Sequence, residues 1–229
     1  MRTCKLIAER ISDFIPFPNS NELISLAAGL DFPYAIGVID TTDIVIKQPL
    51  ATMAAYTTRH DYTAIKVQGV CDSRYRFIDV SIGWPASMHD ARIWRMSHLS
   101  QVIEDRLAAT PYFIVGDSAY PLSLRMMTPY RDNGHLSNLQ KSYNRQLSAQ
   151  RSVIERAFAL LKGKWRKLLF VNVTNLSYIP HILAAACVLH NFVVDAEEER
   201  IDDDNVQQPP PFEFTNDARI NRINISNLL

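Results

Sequence analysis

Three carboxylates in this 229-residue chain stand where a fold can use them for chemistry. Asp40 closes the apolar run GVID, and Asp117 closes FIVGD. A carboxylate placed where a buried strand surfaces is held rigidly and only partly desolvated. If the two strands are neighbours, the aspartates converge at one sheet edge, where α/β sheets gather ligands. Glu155 stands one position, about 100°, off the apolar stripe of a helix and can complete the set. Three crowded carboxylates raise one another's pKa unless a cation neutralises them. Hard oxygen donors with few His or Cys nearby select Mg²⁺ or Mn²⁺ over zinc. Two such ions about 4 Å apart suit in-line attack on a phosphodiester, one activating water and one stabilising the leaving oxygen. Each residue also has an ordinary role open to it. An aspartate after a strand is commonly a turn former or helix cap, and Glu155 could simply pair with Arg151 or Lys162.

The elements that must position these groups follow from patterning. Residues 3–12 and 21–29 read as helical and are separated by IPFPNSN, whose prolines break periodicity. The chain opens mid-pattern without a start cap, as expected of a fragment whose residues 1–33 end an upstream helical region. Tyr34–Ile46, Tyr62–Cys71 and Phe77–Gly83 read as strands. In the third, Ile78, Val80 and Ile82 alternate with Asp79 and Ser81. The short link 72–75 predicts an antiparallel hairpin. Ser87 to Leu107 reads as a helix with Ser87 as N-cap and Asp90 at the capping-box position. Tyr112–Val115 is a fourth strand, and residues 118–150 read as an irregular loop with short helical pieces. Arg151–Leu168 is an amphipathic helix whose stripe is Ile154, Phe158, Leu161, Trp165 and Leu168. A last buried helix covers His181–Asp195. Residues 196–229, acidic and rich in Pro and Asn, read as a disordered tail.

Three antiparallel strands, a helical crossover and a parallel fourth strand give a mixed α/β sheet flanked by helices. That is the layout of the ribonuclease H-like fold, here expected over residues 34–195.

Formal net charge is zero, so no global basic signature points to nucleic acid. The local balances are opposite, however. Arg151 to Lys167 holds six basic residues and one acid, whereas Asp195 to Asp204 holds seven acids and one Arg. Arg151, Arg156, Lys162, Lys164, Arg166 and Lys167 are therefore candidate phosphate contacts, although such runs are often only solvated helix faces. Cys4, Cys71 and Cys187 are scattered, without CxxC spacing, as in a reduced compartment. No signal peptide opens the chain, and the most apolar run, Ile182–Val194, is interrupted by His190 and Asn191 and too short to span a bilayer. A soluble intracellular protein is expected. His98, His135, His181 and His190 share no ligand spacing, and His190 reads as a satisfied core or cap histidine. Ser118 has no paired base.

Taken in order, GVIDTTDIVIKQP, YTTR, VQGVCD, GWPASMHDARIW, GDSAYPL, MTPY, RSVIERAFALLKGKWRKL and AAACVLHN resemble the DDE nuclease domain of Harbinger transposases and the domesticated nuclease of animals derived from them. The resemblance covers residues 30–195 and keeps its order. It implies that Asp40, Asp117 and Glu155 are the catalytic carboxylates and ligands of two Mg²⁺ or Mn²⁺ ions. Glu155 follows Asp117 by 38 positions, a short second spacing typical of such triads. His89 and Asp90 match the family's HDAR segment and become supporting residues of the site, with a helix-start cap as their other reading. The resemblance further implies DNA as substrate, a Myb/SANT-like DNA-binding partner protein and a nuclear location, with the cytoplasm as a second. It implies no membrane.

This chain departs from the pattern in its first motif. Where the family reads IDGTHI, Ile39–Ile44 reads IDTTDI, so Thr41 replaces Gly and Asp43 replaces His. After Arg59, His60, Asp61, Thr63 and Ala64 stand where the family favours Lys, Gly and a His–Ser pair. Asp43 has opposite strand parity to Asp40 and should point away from it. Two readings follow: a metal-dependent DNA endonuclease or strand-transfer domain, or an inactive relic that binds DNA or protein as an adaptor.

Overall fold

A computed structural model describes residues 2–47, 53–58, 62–198 and 214–229. Arg59, His60 and Asp61 and the acidic stretch 199–213 lie outside the described residues. Three helices open the chain: α1 (Arg2–Glu9), α2 (Ile11–Phe14) and α3 (Ser20–Gly29). Then come β1 (Ala35–Val45), the short α4 (Met53–Tyr56), β2 (Ala64–Cys71) and β3 (Phe77–Pro85). Next are α5 (Asp90–Met96), α6 (His98–Arg106), β4 (Phe113–Val115) and β5 (Met126–Met127). The long α7 (Asn138–Lys164), α8 (Ile179–Glu198) and α9 (Ala218–Leu228) complete the order, with a 3₁₀ turn at Arg166–Leu169.

The strands form one five-stranded mixed sheet in the order β3-β2-β1-β4-β5. β1, β2 and β3 pair antiparallel, and β4 and β5 join parallel. The expected α/β sheet with its three antiparallel strands, helical crossover and parallel fourth strand is therefore present, extended by the two-residue β5. Helices cover both faces. On one side α7 and α8 bury Tyr143, Leu147, Ile154, Phe158, Leu161, Leu183 and Cys187 against Val38, Ile44, Val67, Phe77 and Val115. On the other, α3, α5 and α6 bury Leu23, Leu26, Trp94, Leu99 and Ile103 against Ile36, Ile39, Val70 and Ile114. This division follows strand parity: Val38 serves the first core and Ile39 the second.

Several expectations are corrected. The helix read from Arg151 begins at Asn138, where Ser137 and Gln140 form a reciprocal capping box. Its buried positions Tyr143, Leu147, Gln150 and Ile154 continue the stripe upstream, with a polar residue at the third of them. The helix ends at Lys164, and Arg166–Leu169 is a 3₁₀ turn that still buries Leu168. The helix read from Ser87 starts three residues later and is broken at Ser97, whose side chain accepts from Ser100 N and caps α6. Residues 214–229 are not a disordered tail. Asp217 caps α9 by accepting from the amides of Arg219 and Ile220, and Ile225 is fully buried. The guanidinium of Arg222 lies 3.9 Å from the Tyr130 ring centroid and donates to the carbonyls of Thr128 and Pro129. The opening helices pack on the domain as well, α3 against the sheet core and α1 against α8.

By length and composition α8 could cross a membrane, yet Leu183, Ala185, Cys187 and Val188 are buried inside the fold. Near its C-terminal end His190 contacts the Tyr75 carbonyl at 2.8 Å, a satisfied histidine as expected. The Asn191 amide accepts from Phe77 N and donates to Phe77 O, so one side chain satisfies both backbone groups of that residue.

Candidate active site

β4 pairs with β1 only as far as Val38, so the next turn of β1 faces the point where β4 ends. Asp40 and Asp117 are therefore neighbours at one sheet edge. Asp40 lies directly opposite Gly69 on β2, where a Cβ would stand 2.9 Å from the Phe77 ring and 3.2 Å from that of Phe158. Gly116 is required by close approach too: a Cβ there would meet Ile39 and Tyr120, each at 2.9 Å. A side chain there would have to push those two aside at the point where the chain leaves β4 for Asp117. One Asp117 oxygen accepts from Ala119 N at 2.9 Å, which fixes the carboxylate in its turn.

Asp40 accepts from Thr41 N at 2.7 Å with one oxygen and from Arg151 Nη2 at 3.3 Å with the other. Arg151, on α7, also lies 3.7 Å from Glu155 one helical turn on. The Asp40 pKa is raised, chiefly because burial disfavours its charge; the Thr41 amide and Arg151 pull it down, and the charge of Asp117 pushes it up. Burial works to lower the Arg151 pKa, but the charges of Asp40, Asp117 and Glu155 outweigh it and the net shift is upward. A single guanidinium thus senses all three sequence-predicted carboxylates. Glu155 itself is largely exposed, with 63 % of its side chain accessible.

The opposite side of β1 builds a second wall. Thr41 Oγ1 donates to Asp90 at 2.8 Å, and Lys66 Nζ reaches the same Asp90 oxygen at 3.0 Å. Asp90 is therefore not a helix-start cap: its carboxylate turns to the sheet, where an ammonium and a hydroxyl hold it. Ser87 is not the N-cap either, since its hydroxyl donates to the Ala55 carbonyl and the backbone of His89 takes that position. Asp43 leaves Asp40's side of the strand, as parity required, and accepts from Tyr62 OH. Asp43, Tyr62, Lys66, His89, Asp90 and Asp117 line one open cavity of about 850 Å³. Lys66 and the buried Gln68, which donates to Tyr120 OH, were not singled out from the sequence. Their signal was present: two polar residues two apart on an otherwise apolar central strand share one face.

The six basic residues of the α7 region divide. Arg151 is engaged with carboxylates, as above. Lys162 is turned inward, donating to Thr42 Oγ1 and the Asp43 carbonyl, and burial lowers its pKa against the pull of Asp43. It ties α7 to β1, which corrects the expectation that it faces DNA. Arg156 donates to Tyr75 OH and lies over that ring. Lys164, Arg166 and Lys167 are exposed.

The donor set fits a hard divalent cation. It is all carboxylate, and a positive group already stands among its members. As the side chains lie, no three His, Cys, Asp or Glu among the described residues are grouped closely enough to hold one ion. Glu155 would have to turn from solvent and from Arg151 to join the two aspartates.

A strand-end carboxylate pair beside a helix-borne glutamate, on a mixed sheet of this order, coincides with a recognised sequence family. The chain belongs to the DDE superfamily endonucleases, whose family pattern matches residues 39–191. Among its relatives, "Putative nuclease HARBI1" of Homo sapiens is 32% identical over 202 residues, covering 82% of this chain and 56% of that protein. "Protein ALP1-like" of Arabidopsis thaliana is 29% identical over 193 residues, covering 77% of this chain and 47% of its own length. These matches show a Harbinger-derived DDE nuclease domain, as the motifs implied. The chain spans about half the length of the curated relatives it matches. No solved structure matches it.

Proposed function

We propose that this domain is a divalent-metal-dependent DNA endonuclease or strand-transfer domain on a ribonuclease H-like sheet. The observation that carries the reading is the convergence of Asp40, Asp117 and Glu155 on Arg151 at the edge where β1 outruns β4. Asp40, Asp117 and Glu155 would hold two Mg²⁺ or Mn²⁺ ions, which supply Lewis-acid activation of water for attack on a phosphodiester. The chain's own residues do the rest. Thr41 N and Ala119 N each fix one oxygen of an aspartate, and the second oxygen of Asp40 is held by Arg151. Lys66 and Thr41 hold Asp90 as a wall of the adjoining cavity, and His89 sits exposed at its rim. Lys164, Arg166 and Lys167, exposed at and just beyond the end of α7, would be the residues to meet phosphate. The reading extends to a nuclear protein that is directed to its site by a Myb/SANT-like partner.

Cleavage of supercoiled plasmid with Mg²⁺ or Mn²⁺ tests the reading. The wild-type chain should nick, and Asp117→Asn should lose at least about a hundredfold in rate, since one ligand of a metal that stabilises developing charge is removed. Equal nicking by both proteins would overturn the assignment.

A further inference from the structure

We infer that Arg151 is a built-in stand-in cation that competes with the divalent ion for the same carboxylate oxygens. Metal uptake and the Asp40–Arg151–Glu155 bridge are then mutually exclusive. This inference rests on the metal-dependent reading above and adds a residue that sets how tightly the site takes its ion.

The argument begins with the two oxygens of Asp40. One accepts at 2.7 Å from Thr41 N, a backbone group that cannot move without breaking the β1 ladder. The other is held at 3.3 Å by Arg151 Nη2, on a side chain that can rotate. Of the two, the oxygen that an approaching ion can free by moving a side chain alone is the one Arg151 holds. Glu155 poses the same choice, because the same Nη2 lies 3.7 Å from one of its oxygens.

The grip is also of a kind that yields. Strong Arg–carboxylate pairs are bidentate, with two parallel N–H···O bonds. Here a single Nη2 spans two carboxylates at long distances, and the buried Arg151 Nε has no hydrogen-bond partner among the described residues. Arg151 offsets part of the negative charge of Asp40, Asp117 and Glu155, yet it holds Asp40 and Glu155 only at long range. A divalent ion offers twice the charge at a shorter distance. Its binding free energy is reduced by what breaking the bridge takes.

Mn²⁺ titration followed by the electron paramagnetic resonance of the free ion reads this without any turnover. Arg151→Gln, which keeps length and polarity but removes the charge, should bind Mn²⁺ roughly fivefold more tightly than wild type, as expected from losing a competing ion pair at the upper end of the partly exposed range. Arg151→Lys, which keeps the charge, should stay within about twofold of wild type. In EDTA the Gln variant should melt below wild type, and Mn²⁺ should restore it. A Gln variant with equal or weaker Mn²⁺ affinity, or a Lys variant that gains as much as Gln, would overturn the inference and leave the metal site standing. No Mn²⁺ uptake by any of the three would overturn both the inference and the metal-dependent reading, as would undiminished uptake by Asp40→Asn for Asp40's part in it.

Discussion

Asp40 and Thr41 are chain neighbours that work in different layers, because successive strand residues face opposite sides of a sheet. Asp40 meets Arg151 of α7, while Thr41 meets Asp90 of α5. The substitutions in the first motif therefore act separately from the carboxylate beside them. Thr41 adds a hydroxyl that holds Asp90, and Asp43 adds a charge to the cavity wall. The carboxylates at 40 and 117 were legible because each ends an apolar run. Asp90 carried two readings from the sequence, a site-wall residue and a helix-start cap at capping-box spacing from Ser87; of these the cap fails, because a cross-strand ammonium and a hydroxyl compete better for the carboxylate. Asp79 makes a separate point about burial. It is half-buried beside Val80, His98 and Arg106, and burial raises its pKa from 3.8 to about 7 despite the attraction of Arg106. The folded chain keeps this proton where the unfolded chain has released it. The contribution to stability is thus present below about pH 4 and lost as pH rises towards 7. Asp79→Asn should gain stability over wild type as the buffer goes from about pH 5 to about pH 8, reaching about 2 kcal/mol after allowance for partial solvent access. Urea unfolding at several pH values measures it, and a gain that does not change with pH would refute the cause given.

At the scale of elements, α7 does most of the positioning. Its buried stripe seats it on the sheet, its cap at Ser137 fixes where it begins, and Lys162 ties its last turns to β1. Glu155 and Arg151 are placed by these contacts rather than by any local feature of their own. The half of α7 from Ile154 onward was readable because its stripe is wholly apolar there; Gln150 and the polar stretch before it hid the rest. The same cause hid α9. Its buried face is Asn221, Ile225 and Ser226, two polar residues around one isoleucine, and Asn221 spends its amide on Thr215. β5, with two residues, is too short to leave a periodic signal. Since Ile225 is fully buried, Ile225→Ala should destabilise the domain by about 3 kcal/mol through lost burial and the cavity left behind. Chemical denaturation of the full chain reads this directly. A change under about 0.5 kcal/mol, the usual range for exposed positions, would mean that the C-terminal helix is not docked.

For the whole molecule the balance of charge matters more than any single contact. The chain is neutral overall, and of six basic residues in the α7 region three are committed inside the protein or to an aromatic neighbour. Those three are not free to release counterions from a DNA backbone, and no net positive charge adds to the rest, so affinity should be weak and only mildly salt-dependent. Fluorescence anisotropy with duplex DNA near physiological salt should give a Kd no tighter than about 1 µM and little preference among sequences. Nanomolar, sequence-specific binding by this chain alone would contradict that.

β3 is the outer strand on the side of the sheet away from β5, and an outer strand offers free backbone groups to any passing chain. Both of its ends are stopped. At Phe77 the Asn191 amide fills the donor and acceptor that a foreign strand would use, and at Pro85 there is no N–H to offer. The Asn that closes the last of the quoted motifs thus also blunts one end of the edge against edge-to-edge pairing with another chain.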